Sequence, residues 1–332
     1  MIAQHPGFSR MFQPGRLTLG VFFPIEAFDG PHPTMANQVA LAQRACDLGF
    51  AALWFRDVPL LDPQFGDVGQ IYDPWTYLGF IAAQTRDIAL ATGSIVLPLR
   101  HPLHVAKAAA SVDVLSGGRM VLGVATGDRP VEFPAFGRSF EARGESFRES
   151  LDFMRRAWRE RFPEIHSGHG TLAGADLVPK PWLDDLPVMV TGRAQQSLEW
   201  IARHADAWIM YPQPVPLQAM KLRAWAQAQG RAEPAAAKPF GQSLYIDLVR
   251  QPGAGPVPIH LGYRLGSRPL VSLLRELRDI GVAHVALNLK YGSRSAAEVL
   301  EQLGAEVLPL FPASPDTIPT PAKELEPSVG RT

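Results

Sequence analysis

The chain has 332 residues, 46% of them hydrophobic, and its 32 Lys and Arg residues balance 32 Asp and Glu residues. No net field therefore recruits nucleic acid or an anionic membrane, and the single cysteine, Cys46, excludes an intrachain disulfide and a thiolate zinc site. No apolar run approaches the ~18 residues that span a bilayer, and MIAQHPGFSRMFQPGR at the start lacks a signal-type apolar core, so a cytoplasmic enzyme acting on a small molecule is expected.

Residues 1–16 read as an amino-terminal arm. Beyond them, apolar runs alternate with helix-periodic stretches, the pattern of repeated strand-then-helix units around a parallel sheet. The runs fall at 17–24, 51–56, 88–97, 120–125, 187–191, 207–211, 242–248 and 283–289. Eight such units close a barrel. An open doubly wound sheet needs fewer strands and often a GxGxxG turn after the first, where this chain reads IEAFDGPHP. The expectation is an α/β fold, a (β/α)8 TIM barrel with insertion loops, forming one domain over residues 17–311.

Helix punctuation supports this. Val39, Ala42, Ala45 and Gly49 place Cys46 on a packed helix face. Asp73 before Pro74 is an N-cap followed by a good first helical residue, for a helix reaching Thr85. Ser116 and Gly117 close a helix that starts near Pro102. In 145–161, Phe147, Leu151, Met154 and Trp158 recur at spacings of three and four, an amphipathic face for the barrel. Segments 268–280 and 296–307 supply the last two helices. Three stretches break the alternation: 164–182, the connections around MKLRAWAQAQ in 212–239, and QPGAGPVPIHLGYRLG at 251–266, which reads as a lid. The tail 312–332 is too poor in apolar residues to order itself.

In a parallel barrel, ligands bind at the carboxyl ends of the strands. Trp54, Arg56 and Asp57 end the second strand. Arg100 and His101 follow the third, Thr126, Gly127, Asp128 and Arg129 the fourth, and Tyr211 ends the sixth. Trp54, Arg100, Asp128, Arg129 and Tyr211 are therefore expected at the substrate mouth. Arg56 and Asp57 suit orienting a polar substrate or steadying charge, although an Arg to Asp pair closing the barrel end is an equal alternative for Asp57. His101 is the histidine best placed to move a proton, unless it merely holds loop backbone. In PVMVTGRAQQSLEWIARHAD, Gly192 stands between a strand and a helix expected to begin near Ala194. Free amides there favour an anion, with Arg193 adding charge and Ser197 a hydroxyl; an ordinary turn is the alternative. His101 and His104, with Glu164, His166 and His169, raise a metal-dependent hydrolase, but the strand ends lack the ligands a barrel metal site needs, so no metal is expected.

Two blocks, DPWTYLGFIAAQTRDIALATGSIVLPLRHPLHVAKAAASVDVLSGGRMVLGVATGDRPVEFPAFG from Asp73 to Gly137 and LPVMVTGRAQQSLEWIARHADAWIMYP from Leu186 to Pro212, resemble the third to sixth units of the bacterial luciferase-like flavin-dependent monooxygenases and oxidoreductases. The resemblance implies a (β/α)8 barrel, FMN or a deazaflavin as cofactor, and often a homodimer. It implies that the cofactor phosphate rests on Thr191, Gly192, Arg193, Ala194 and Ser197, with Ala194 standing where many members carry a Ser. Arg143 matches an Arg that reaches the phosphate or ribityl chain. Gly93 and Ser94 match the backbone that meets the flavin ring, with a cis non-proline peptide between them, and Thr126 and Gly127 border the same ring. Val58 stands where luciferases have a catalytic His. The expected activity is a flavin-dependent monooxygenase with Arg56, Asp57 and His101 as catalytic candidates, using O2 and reduced FMN supplied by a flavin reductase. The alternatives are deazaflavin-dependent hydride transfer and a flavin-binding barrel without turnover.

Overall fold

Runs rich in Val, Ile, Leu and Ala that are buried on both faces leave a strand one arrangement, a parallel sheet covered by helices. The computed structural model describes residues 2–65, 67–231 and 237–313 and contains that sheet, closed on itself. Its strands are β1 (Thr18–Phe22), β2 (Ala52–Phe55), β3 (Ala89–Thr92), β4 (Met120–Ala125), β5 (Val188–Thr191), β6 (Ala207–Met210), β7 (Phe240–Leu248) and β8 (His284–Asn288). All neighbouring pairs are parallel, and Thr18 opposite His284 closes the ring between β8 and β1. Each strand is followed by a helix on the outside: α1 (Gln38–Asp47), α2 (Pro74–Gln84), α3 (Pro102–Leu115), α4 (Arg143–Arg159), α5 (Leu198–His204), α6 (Val215–Ala228), α7 (Ser267–Asp279) and α8 (Ala296–Glu306). The fold is a (β/α)8 TIM barrel.

Alternation along the strands divides the apolar residues into two cores. Outward residues such as Leu53, Leu90, Leu122, Val190 and Leu244 join the helices in one continuous cluster. Inward positions are mostly small, including Ala52, Ala89, Ala91, Ala207 and Ala286, and the bulk comes from Phe22 and Trp54. The 1–16 arm completes this inner core. Its helix Pro6–Met11 places Phe8, Met11 and Phe12 against the inner residues, and Gly7 donates to the carbonyl of Gly118 at 2.9 Å, so the segment plugs the amino-terminal end of the barrel.

Several helix ends follow the sequence rules. Asp73 caps α2 by accepting from the amides of Trp75 and Thr76 at 3.0 and 3.1 Å. Buried Trp158 of α4 donates to the Ala106 carbonyl of α3 at 3.0 Å. Other segments depart from expectation. The third strand is not one run over 88–97: it stops at Thr92, the Gly93–Ser94 peptide is cis, and Ile95–Val96 then pairs with β4. The 251–266 stretch contains an antiparallel hairpin, Val257–Ile259 with Gly262–Leu265, whose second strand pairs with β7, so its backbone is tied into the sheet. A second hairpin, Ile165–Ser167 with Gly170–Leu172, lies within 164–182. Residues 232–236 of the 212–239 connection and 314–332 of the expected tail lie outside the described residues. No helix among the described residues is long and apolar enough to cross a membrane.

Candidate active site

The carboxyl ends of the strands surround a cavity of about 510 Å³ counting its open mouth. Gly93 and Thr191 line it on the arc from β3 to β5, and Ser243, Asn288 and Arg56 on the opposite arc of β7, β8 and β2. Trp54, expected at the mouth, is fully buried inside the barrel because its position on β2 points inward. A side chain at Gly93 would put its Cβ 3.0 Å from the Trp54 ring and 3.1 Å from Phe22, so these rings form a floor that only glycine fits over. Ser94 and Thr191 share a hydroxyl to hydroxyl hydrogen bond from the β3 end to the β5 end. Thr126 is buried, and Gly127 turns the chain at φ +82° with no room for a Cβ, which would lie 2.7 Å from Val96.

Arg56 and Asp57 do not pair with each other, because consecutive residues leave the strand on opposite sides. Asp57 accepts from Arg100 through Nε at 2.9 Å and Nη2 at 2.7 Å, and from the amide of Val96 at 3.0 Å. Both carboxylate oxygens are committed to the loop after β3, so Asp57 and Arg100 form a pair that holds that loop. Arg56 instead meets Asp67 at 2.7 Å, and Asp67 also accepts from the Gly69 amide at 2.8 Å and from Lys290 at 3.1 Å. Burial works against the Arg56 charge, but Asp67 outweighs it and holds the guanidinium above its usual value. Burial likewise opposes the Asp67 carboxylate, and Arg56, the Gly69 amide and Lys290 together hold it below the usual range. Arg129 is buried too, donating to the Asp67 carbonyl at 3.1 Å and covering the Phe65 ring at 4.9 Å. Asp128 and Tyr211 are exposed at the rim.

His101 is not at the cavity. It caps α3: Nδ1 accepts from the Leu103 amide at 3.2 Å, which leaves Nε2 to donate to the His169 carbonyl at 2.9 Å. Both ring nitrogens hold backbone, so the catalytic expectation for His101 is corrected to a loop-fixing one. Glu164 and His166 form an exposed contact on the 165–172 hairpin, and among the described residues no group of three or more His, Cys, Asp or Glu is placed to hold a metal.

The turn after β5 differs from its expected form. α5 begins at Leu198, not near Ala194, and Ser197 is its N-cap, with Oγ accepting from the Trp200 amide at 3.1 Å. Between them Gly192, Ala194 and Gln195 all take positive φ, at +61°, +45° and +56°. Among the described residues the amides of Arg193, Ala194 and Gln195 donate to no backbone or side-chain acceptor. Ala194 buries its methyl group and Arg193 extends into solvent. Arg143, the first residue of α4, reaches this turn: with the Gln195 amide oxygen facing it, both terminal guanidinium nitrogens donate to Gln195, and its Cζ lies 3.5 Å from the Phe140 ring centre. Three amides without a protein acceptor and one cation are thus gathered at the turn itself, not at a helix end.

The groups missed in sequence are Asp67, Lys290, Ser243, Tyr245 and Asn288. Lys290 and Asn288 carry the same signal as the named candidates, a polar residue at the carboxyl end of a strand. Asp67 gave none, since a loop carboxylate has no periodic pattern.

A sequence model described as luciferase-like monooxygenase matches residues 17–246 of this chain. An uncharacterized protein of Mycobacterium tuberculosis is 36% identical over 148 residues, covering 44% of this chain and 52% of that protein. The F420-dependent hydroxymycolic acid dehydrogenase of the same organism is 30% identical over 201 residues, 58% of this chain and 54% of that protein. The matches span about half the length of these curated relatives. Among solved structures, monooxygenase RslO1 from Streptomyces bottropensis superposes with a TM-score of 0.74 at 20% identity, over 89% of this chain and 99% of that one. An F420-dependent secondary alcohol dehydrogenase superposes with 0.71 at 16% identity, over 88% and 98%. These likenesses establish the fold.

Proposed function

The chain belongs to the luciferase-like monooxygenase family, and from that membership we propose that it is a flavin-dependent oxidoreductase, a monooxygenase that uses reduced FMN and O2 on a small organic substrate. The observation that carries this reading is the turn at 192–197, where the amides of Arg193, Ala194 and Gln195 have no protein acceptor among the described residues and the Gln195 side chain meets Arg143. Those groups suit a phosphate, and the Ser94 and Thr191 hydroxyls lead from the turn to the cavity. Bound along this path, the flavin would supply two electrons and the activation of oxygen.

The chain's own residues then orient and exclude. The ionisable side chains lining the cavity are Arg56, Tyr211 and Tyr245. Burial, aided by neighbours including Asp67, pushes the Tyr245 phenol up to about 12, so it stays a hydrogen-bond donor, as does Arg56. Both can hold a substrate oxygen that gains negative charge, and neither takes a proton near neutrality. Val58 supplies none either. That set of donors suits oxygen transfer better than oxidation of an alcohol, which needs a base for the hydroxyl proton. A second reading, deazaflavin-dependent hydride transfer, is favoured by the F420-dependent relative. A homodimer and a separate flavin reductase belong to the first reading.

Calorimetry with FMN, riboflavin and the deazaflavin coenzyme tests it. FMN is expected to bind more tightly than riboflavin, with Arg143→Ala removing about a tenfold advantage, and the reduced FMN complex is expected to consume oxygen. Equal affinity for FMN and riboflavin overturns the assignment of the turn, and binding of the deazaflavin alone selects the second reading.

A further inference from the structure

We infer that the mouth of this barrel is built for a small monoanionic carboxylate with an apolar body, gripped by Arg56. The inference deepens the flavin reading and rests on it in one respect: the arc of Gly93 and Thr191 is left to the cofactor, so the opposite arc faces the substrate.

Arg56 is the one charged side chain lining the cavity among the described residues. Among the described residues its guanidinium donates to Asp67 alone, through Nη1, which leaves Nε and Nη2 for a ligand. Asp67 does not cancel that charge completely, because its other oxygen is taken by Lys290 at 3.1 Å. Asp67 therefore divides its charge between Arg56 and Lys290. The side chain is also held in place: Gln70 fixes the Arg56 backbone, accepting from its amide at 2.9 Å and donating to its carbonyl, Gly69 packs against the stem, where a Cβ would lie 3.3 Å from Cδ and Nε, and Asp67 pins Nη1. A fixed fork loses little freedom on binding and matches the planar geometry of a carboxylate.

Ser243 supplies an independent observation. It lines the same cavity, it is only 8% exposed, and its Oγ has no hydrogen-bond partner. A buried hydroxyl without a partner is costly unless a ligand completes it. Arg56 supplies the one full positive charge, and Ser243 and the Tyr245 phenol are neutral donors, a set that compensates a single negative charge and falls short for a doubly charged phosphate ester. The rest of the lining combines Asn288 and the Tyr211 and Tyr245 rings with the apolar Phe22, Ile209 and Met210, which face the space where the body of the ligand would lie. Arg56 is therefore a specificity-determining residue, and Ser243 assists it.

The probes are benzoate and hexanoate against their neutral amides, benzamide and hexanamide. They are titrated into the FMN-loaded protein by visible absorbance and into the flavin-free protein by calorimetry. Each carboxylate is expected to bind about tenfold more tightly than its amide. Arg56→Gln abolishes the preference, Arg56→Lys retains part of it, and Ser243→Ala weakens both carboxylates by a few fold, with thermal unfolding confirming that each variant is folded. Equal affinity of acid and amide, no binding of either carboxylate, or a preference that survives Arg56→Gln overturns the inference. If FMN fails to bind while the flavin-free protein keeps an Arg56-dependent preference, the cofactor reading falls and the carboxylate site stands. If FMN binds and no preference appears, only the carboxylate site falls.

Discussion

The indole nitrogen of Trp54 donates to Nε2 of His284 at 3.0 Å across the interior of the barrel. Thr18 fixes the other side of the ring, since its hydroxyl donates to the Met11 carbonyl at 2.5 Å and so accepts from His284 Nδ1 at 2.7 Å. His284 is therefore neutral with its proton on Nδ1, and it links β1, β2, β8 and the amino-terminal plug. Burial pushes it down to about 3 from 6.5. The unfolded chain takes up this proton near pH 6.5, whereas the folded chain does not until about 3, so acid favours unfolding throughout that window. His284 alone should remove about 2 kcal/mol of stability between about pH 6.5 and about pH 5. Urea unfolding across this range measures it. His284→Asn is expected to be less stable at neutral pH but to lose less on acidification, and an unchanged slope would show that His284 already protonates like an exposed imidazole.

Glu132 has the opposite sign. It sits in the short helix Glu132–Ala135 after β4, 2% exposed, with Oε1 lacking a partner. Burial raises its carboxyl to about 7, Arg129 opposes the rise, and Asp57 and Asp128 add to it. A folded state that keeps a proton the unfolded state has released loses stability as pH rises from 4.5 through about 7. Glu132→Gln should match the wild type near the lower value and exceed it by about 3 kcal/mol above the upper one. Thermal melts at the two ends of the range decide the matter: a variant no more stable in alkaline buffer would place the carboxylate in contact with solvent or a cation.

The barrel was legible because burial on both faces makes each strand a continuous apolar run, and caps such as Asp73 before Pro74 have a local mechanism that tertiary contacts did not override. What escaped was set by contacts between distant segments. The break after Thr92 depends on Gly123, whose amide and carbonyl both bond to Thr92 Oγ1 at 2.8 Å across two strands. The 1–16 arm holds the apolar residues Phe8, Met11 and Phe12, but their use as a plug depends on the small inward residues of β2, β3, β6 and β8. Strand ends told which residues gather at the mouth without telling which pair, and so Arg56 found Asp67 in a loop while Asp57 found Arg100.

That pairing makes Asp57 a structural group. Its side chain is 1% exposed and its partner Arg100 is 24% exposed, so cutting the pair should cost less than the ~3–5 kcal/mol of a fully buried one. Asp57→Asn is expected to lower stability by about 2 kcal/mol. The loss should be equal in flavin-free and FMN-loaded protein. Differential scanning calorimetry of both forms, beside turnover of the loaded enzyme, separates the roles: a turnover defect with unchanged melting would keep Asp57 in the catalytic set.

Two glycines should respond oppositely to the same substitution. At Gly123 an added Cβ would lie 1.8 Å from the Thr92 carbonyl oxygen, inside two strands held by the Thr92 clamp, and neither backbone can retreat without breaking the β3 to β4 pairing. At Gly192 nothing lies within 4 Å of the added atom, and the obstacle is the φ of +61°, a conformation that costs alanine about 1 kcal/mol. Gly123→Ala should therefore fail to give folded protein. Gly192→Ala should fold with a loss of about 1 kcal/mol, and because relief of that strain reorients the amides of Arg193 to Gln195, it should weaken FMN more than riboflavin. Circular dichroism and paired FMN and riboflavin titrations check both. A folded Gly123→Ala protein would mean that the strands can separate at that point, and equal losses for the two ligands at Gly192 would detach the turn from the phosphate.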